Sequence, residues 1–260
     1  IPASLYDNPY LTADGNYEAM LLSLPEVQRR QLLEGSWDVA EGAAFSEFNR
    51  NIHVCKPFEI PHDWRRFRAA DYGYSTPSAV LWFALDPNYD ILYVYRELYE
   101  KGLHAVDLAK KVLQLEHKER IDYGVLDSSV WHNRGFVGPS LAEQMISVGC
   151  RWRPADRGRG SRVAGKNEIH RRLQVQEGIE KPGLIIFDTC TNLIAQLPSI
   201  ALDKSNPEDV DTRGEDHLYD ALRYGVMSRP KPRSVFDDWY AGHGGERPSS
   251  WQPVDPVFGY

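Results

Sequence analysis

The sequence predicts an α/β fold in which a mixed sheet carries helices on both faces. Three observations lead there. Residues 66–100 read as three consecutive strands joined by short turns. Beyond residue 103, strands alternate with segments of helical spacing. Two of the strands, RFRAADYG and IDYGVLD, close on an aspartate. Three antiparallel strands followed by crossover units give a mixed sheet covered on both sides. The known arrangement with that order is the ribonuclease H-like fold.

The elements follow in order. Residues 1–60 read as a mainly helical lead-in, with Pro25 near a helix start, Gly35 as a stop, and no strand before about Phe67. RFRAADYG (66–73) is a short strand, SAVLWFALD (78–86) a strongly apolar one, and PNYD a turn. ILYVYRELYE (91–100) alternates and returns as the hairpin partner. Leu103 to Lys118 has apolar residues at helical spacing. IDYGVLD (121–127) is the fourth strand, residues 140–149 a helix closed by Gly149, and CRWRPAD (150–156) a candidate fifth strand. Residues 164–178 form a basic helix closed by Gly178. GLIIFD (183–188) is a strand, TNLIAQLPSIAL is helical, and residues 214–229 form the last helix. The Pro- and Gly-rich end reads as irregular. The expected organisation is a helical lead-in or linker over 1–60, a ribonuclease H-like domain over 61–230, and an irregular tail over 231–260.

Composition narrows the function. The 260 residues suffice for one large domain or two small ones, and no run of about 18 apolar residues spans a membrane. The chain opens on Ile1, as a processed chain or cut fragment does, and shows no signal peptide. Cys55, Cys150 and Cys190 are odd in number and far apart, which argues against a disulfide framework or a cysteine zinc site and suits a reducing compartment. Net charge is −7, unlike a typical nucleic-acid binder. Its distribution is uneven. Residues 151–172 hold seven arginines and Lys166 against Asp156 and Glu168, whereas residues 203–220 hold seven acids against Lys204 and Arg213. Two solvated loops of opposite sign are the plain explanation; a site for a polyanion and a divalent cation is the functional one.

The carboxylates favour the functional one. Asp71 and Asp127 close strands whose ends would be adjacent if parallel, where open α/β sheets build sites. Asp216 and Asp220 lie four apart on the last helix and share a face, with His217 nearby. Taken singly, Asp71 or Asp127 could cap a helix or turn, and Asp216 could be an N-terminal helix charge. Asp220 falls among Leu218, Ala221 and Leu222 and is harder to dismiss. Clustered carboxylates raise one another's pKa, and a cation relieves the repulsion. Hard oxygen ligands select Mg²⁺ or Mn²⁺, and two such ions can cleave a phosphodiester with no protein nucleophile. Arg157, Arg159, Arg162, Lys166, Arg171 and Arg172 are then expected to contact DNA phosphates. The string from Gly160 to Asn167 nearly fits a phosphate-binding loop, but Asn167 replaces the hydroxyl and no buried strand precedes it, so no ATP site is expected. The remaining histidines show no metal spacing.

Three stretches also carry a likeness. DNPYL…LLSLPEVQRRQLLEGSWDVAEGAAF, AADYGYSTPSAVLW and EDHLYDALRYGVMSR, together with VLDSS, resemble the C-terminal nuclease half of the large terminase subunit of tailed bacteriophages. The likeness covers roughly residues 5–229, and the acid-HxxDAxRY motif is its most specific part. It implies metal-dependent cutting of concatemeric viral DNA in the host-cell cytoplasm, with the portal protein and small terminase subunit as partners and no membrane. It makes Asp71, Asp127 and Asp220 metal ligands, and Asp216 and His217 close support or a further ligand. The family's N-terminal ATPase motifs are not in this sequence. Another ribonuclease H-like nuclease, such as a transposase or junction resolvase, shares the carboxylates but not the lead-in. A non-catalytic docking module, whose acids serve a partner, is the alternative of a different class.

Overall fold

The computed structural model describes residues 43–117, 119–132, 138–156, 158–204, 206, 208–211, 214 and 216–230. The predicted helices before residue 43 and the tail after Pro230 lie outside these residues, as does Arg157. The chain divides between Arg229 and Pro230, and the unit up to Arg229 holds the sheet and its helices.

A short helix α1 (Arg50–His53) leads into β1 (Val54–Cys55). The meander follows as β2 (Arg65–Asp71), β3 (Pro77–Asp86) and β4 (Ile91–Lys101). Then come α2 (Ala105–Leu115), β5 (Tyr123–Leu126), α3 (Leu141–Ser147), β6 (Arg153–Pro154), α4 (Ser161–Leu173), β7 (Leu184–Phe187), α5 (Thr191–Gln196) and α6 (His217–Ser228). The sheet order is β1-β7-β4-β3-β2-β5-β6. β3 runs antiparallel to both neighbours, while β2 with β5, β4 with β7, β5 with β6 and β1 with β7 are parallel. This is the ribonuclease H-like mixed sheet, extended beside β4 by β7 and β1.

Alternation along β2 assigns the two faces. Phe67 pairs in register with Phe83 and Tyr123, and the three rings stack at 5.1 and 5.0 Å. α6 lies on this face, so tightly that a Cβ on Gly225 would come within 2.1 Å of the Phe83 ring. Asp71 has the parity of Phe67 and Asp127 that of Tyr123, so both acids belong to the α6 face. Arg68 and Trp82, one residue out of phase, point to the other side. There Glu116, capping α2, accepts both Arg68 Nη1 (2.8 Å to each oxygen) and Trp82 Nε1 (2.6 Å). Helices therefore cover both faces, and a buried ion pair holds α2 against the sheet.

Several boundaries differ from the sequence reading. β1 is not expected before Phe67; two residues carry no visible period, and only pairing with β7 makes them a strand. The fifth strand shrinks to Arg153–Pro154, since Pro154 has no N–H to extend a ladder. The basic helix begins at Ser161, after Gly160 at φ 83°, and ends at Leu173. Gly178, at φ 80°, serves a turn beyond it and is not its cap. The near-miss phosphate loop is thus mostly helix. All three cysteines are free.

Candidate functional site

The parallel register Ala70↔Leu126 places Asp71 and Asp127 as the next residues of adjacent strands, and Asp127 N–H donates to Ala70 O at 3.1 Å. α6 crosses above them. Asp216 is its N-cap, and Asp220 lies in its first turn rather than mid-helix, where the sequence reading puts it. Asp220, Arg223 and Tyr224 are three and four residues apart and share a face. The opposite face, with Leu218, Ala221, Leu222 and Gly225, packs on the sheet.

Each carboxylate has partners. His217 Nδ1 stands 2.7 Å from Asp71 Oδ2. Tyr224 donates its hydroxyl to Asp127 Oδ1 at 3.2 Å, and Ser129 donates to the other oxygen. Asp220 Oδ1 accepts Arg223 Nε at 3.0 Å and Nη2 at 2.8 Å, with Arg162 Nη1 3.8 Å away. Arg162 Nε donates to Asp209 Oδ2 at 2.9 Å.

The charges act on one another. Burial raises the Asp71 carboxyl; the His217 hydrogen bond pulls it back, and the negative charges of Asp220 and Asp127 push it further up. Burial and the Asp220 charge raise Asp216 to about 6. The Asp71 hydrogen bond raises the His217 imidazole against the opposing effect of burial. Burial, then Asp220 and Asp127, raise the Tyr224 phenol, so it is a hydrogen-bond donor at neutral pH.

The donors are hard oxygens that repel one another, which is the chemistry of a divalent-cation site. Their present placement is not a closed ligand shell. Among the described residues, no three His, Cys, Asp or Glu side chains stand close enough together to hold a metal ion. Their oxygens are turned toward His217, Tyr224, Ser129 and Arg223.

The expected phosphate contacts divide. Arg159 is exposed, Arg171 is exposed and bonded to Glu168, and Arg162 is partly exposed beside Asp220. Arg172 requires a correction. It is buried, with its guanidinium on Asp90, Glu168 and the Gly183 carbonyl, and it pins α4 to the sheet instead of facing DNA. Lys166 is buried in α4. Sequence reasoning gives no role to Ser129, Asp209, Arg223 or Tyr224. The spacing from Asp220 is the available signal for Arg223 and Tyr224. Nothing local points to Asp209.

No family model matches the chain. It is 26% identical over 238 residues to the terminase large subunit of Salmonella phage P22, covering 90% of this chain and 45% of that protein. It is likewise 26% identical to the terminase large subunit of Enterobacteria phage LP7, over 87% of this chain and 46% of the other. The chain is similar in sequence to these terminase large subunits. It spans under half the length of these two. Among solved structures, the P22 large terminase nuclease domain matches with a TM-score of 0.59 at 22% identity, over 72% of this chain and 92% of that domain. A large terminase from a thermophilic bacteriophage matches at 0.58 with 17% identity, over 86% of this chain and 54% of the other. The cobalt-bound large terminase nuclease of thermophilic phage G20c matches at 0.50 with 14% identity, over 73% and 98%. The terminase-like chain thus has the fold of terminase nuclease domains.

Proposed function

We propose that this chain is the nuclease part of a terminase large subunit, a divalent-metal-dependent endodeoxyribonuclease that cuts concatemeric viral DNA during genome packaging. The observation that carries this reading is the placement of Asp71 and Asp127 at adjacent parallel strand ends beneath Asp220 of α6. Asp71, Asp127 and Asp220, with Asp216 beside them, would hold Mg²⁺ or Mn²⁺, and two ions suit the donor count. Bound there, the metal supplies an activated water and neutralises charge at the leaving oxygen.

The chain's own groups do the rest. His217 orients Asp71 through the 2.7 Å contact, and Tyr224 and Ser129 orient Asp127. Arg223 offsets the charge of Asp220, which otherwise acts on Asp71. Arg159, Arg162 and Arg171, with Arg157, position the DNA backbone without reading sequence. The portal protein and small terminase subunit are the partners this reading implies, in the host-cell cytoplasm, and the lead-in over residues 1–60 joins an ATPase half.

The test is supercoiled plasmid incubated with the chain and Mg²⁺ or Mn²⁺, with and without EDTA and ATP. Relaxation and smearing that EDTA stops and ATP leaves unchanged support the reading. No cutting in either metal, or strict ATP dependence, counts against it.

A further inference from the structure

A cavity of about 360 Å³ opens between the start of α4 and α6. Gly160, Ser161 and Arg162 line one side, Asp209 another, and Asp220 and Arg223 the third. Resting on the nuclease reading, we propose that this cavity is a subsite for a DNA phosphodiester, that Arg162 is its anion ligand, and that Asp209 restrains Arg162 until DNA displaces it.

The Arg162 side chain is only partly satisfied where it stands. A guanidinium has five N–H donors in a planar fork. Nε spends one on Asp209 at 2.9 Å. Nη1 lies 3.8 Å from Asp220, beyond hydrogen-bond range. Nη2 is buried and makes no hydrogen bond. Two nitrogens of one fork thus lack a hydrogen-bond partner, and once the side chain is released from Asp209 they can meet phosphate oxygens as a pair. Asp220 does not depend on Arg162 for its counter-charge, because Arg223 already donates to it twice. The weak partner can leave.

Asp209 is placed to hold it back. The turn that carries Asp209 is closed on itself: Asp209 N–H donates to Asn206 O at 2.9 Å and Asp203 N–H to Asp209 O at 3.0 Å. Leu202 and Val210 bridge its base. With Arg162 and Arg223 facing Asp209 and Asp220, the cavity walls carry no net charge. An entering phosphate must therefore compete with Asp209 for one guanidinium. This gives the basic helix and the acidic segment a single shared purpose: the affinity of the cavity for DNA is set by the difference between two contacts of Arg162.

The experiment is fluorescence anisotropy of a labelled duplex against the chain in EDTA, over a range of salt, with a thermal melt for each variant. Arg162→Ala should weaken binding about three- to tenfold near 0.1 M salt and reduce the salt slope by about one phosphate. Asp209→Asn should tighten binding by a similar factor, and the double variant should match Arg162→Ala. Millimolar inorganic phosphate at constant ionic strength should leave duplex binding unchanged, since one phosphate lacks the neighbouring contacts; an equal loss of duplex binding to phosphate in the unaltered chain and in Arg162→Ala would overturn Arg162 as the anion ligand. An unchanged salt slope in a folded Arg162→Ala, or an equal effect of Asp209→Asn without Arg162, overturns the restraint. If Arg162→Ala does not fold, Asp209→Asn alone decides, and unchanged affinity there refutes the proposal. Plasmid cutting by the unaltered chain in Mn²⁺ is scored separately. A chain that binds through Arg162 but never cuts refutes the nuclease reading alone; one that cuts with no effect of these variants on binding refutes the subsite alone.

Discussion

The His217 imidazole, on the first residue of α6, meets the Asp71 carboxylate, on the last residue of β2, at 2.7 Å. One contact thereby ties the helix carrying Asp220 to the strand carrying a buried acid of the site. A group that orients a metal ligand through a hydrogen bond contributes to affinity without touching the ion.

His217→Ala is therefore expected to lower cleavage about 10–100-fold and to raise the Mn²⁺ concentration needed for half-maximal cutting. Cleavage measured across a Mn²⁺ titration checks this. Full activity at saturating Mn²⁺ would confine His217 to positioning, whereas an unchanged titration would remove it from the site.

Tyr224 gives Asp127 a milder version of the same support. Tyr224→Phe loses one hydrogen bond and keeps the ring, so stability should fall by about 1 kcal/mol. Cleavage should drop more than binding in EDTA, because the phenol orients a carboxylate and does not contact DNA. Urea midpoints and duplex affinity, measured on the same preparation, separate the two effects.

Gly225 is a packing test. A methyl group there would have to occupy the Phe83 ring, so Gly225→Ala should destabilise the chain by about 1–3 kcal/mol and displace α6 from the sheet. Activity should fall with it, because Asp216, His217 and Asp220 all ride on that helix. A wild-type denaturant midpoint would show that α6 sits farther from Phe83.

Glu168 supplies a pH test away from the acids. Burial would raise its carboxyl, but the Arg171 hydrogen bond and the charges of Arg229, Arg171 and Arg172 hold it below the ordinary 4.5. A depressed folded value stabilises the chain above the unfolded value, and the benefit is lost as pH falls through the folded one. Glu168→Gln should lower Tm by about 2–4 °C at pH 7. The gap should narrow as pH falls below the ordinary 4.5 and close once pH passes below the depressed folded value, where the carboxyl is neutral in both states. An equal gap at both ends would assign the effect to packing.

Much of this is legible in the sequence, for identifiable reasons. The apolar run of β3, the alternation of β4 and the helical spacing of α6 are strong signals, and the aspartates that close the β2 and β5 segments fall at the strand ends. Asp71 and Asp127 can be paired because parallel neighbours bring carboxyl ends together. Arg172 cannot be read correctly: an arginine in a basic run looks solvent-facing, and only Asp90, eighty-two residues away, shows that it is buried. β1 is hidden because two residues have no period, and Asp209 because its partner Arg162 is forty-seven residues distant. Long-range pairing decides each miss.

Asp71, Asp127 and Asp220 are assigned a shared divalent cation, and anomalous diffraction from a crystal soaked in Mn²⁺ tests that assignment most directly. The expected result is one or two peaks, the pair about 4 Å apart, each bound by oxygens of these carboxylates, with His217 still on Asp71. Manganese bound elsewhere, with Asp127 and Asp220 still turned to Tyr224 and Arg223, would contradict it.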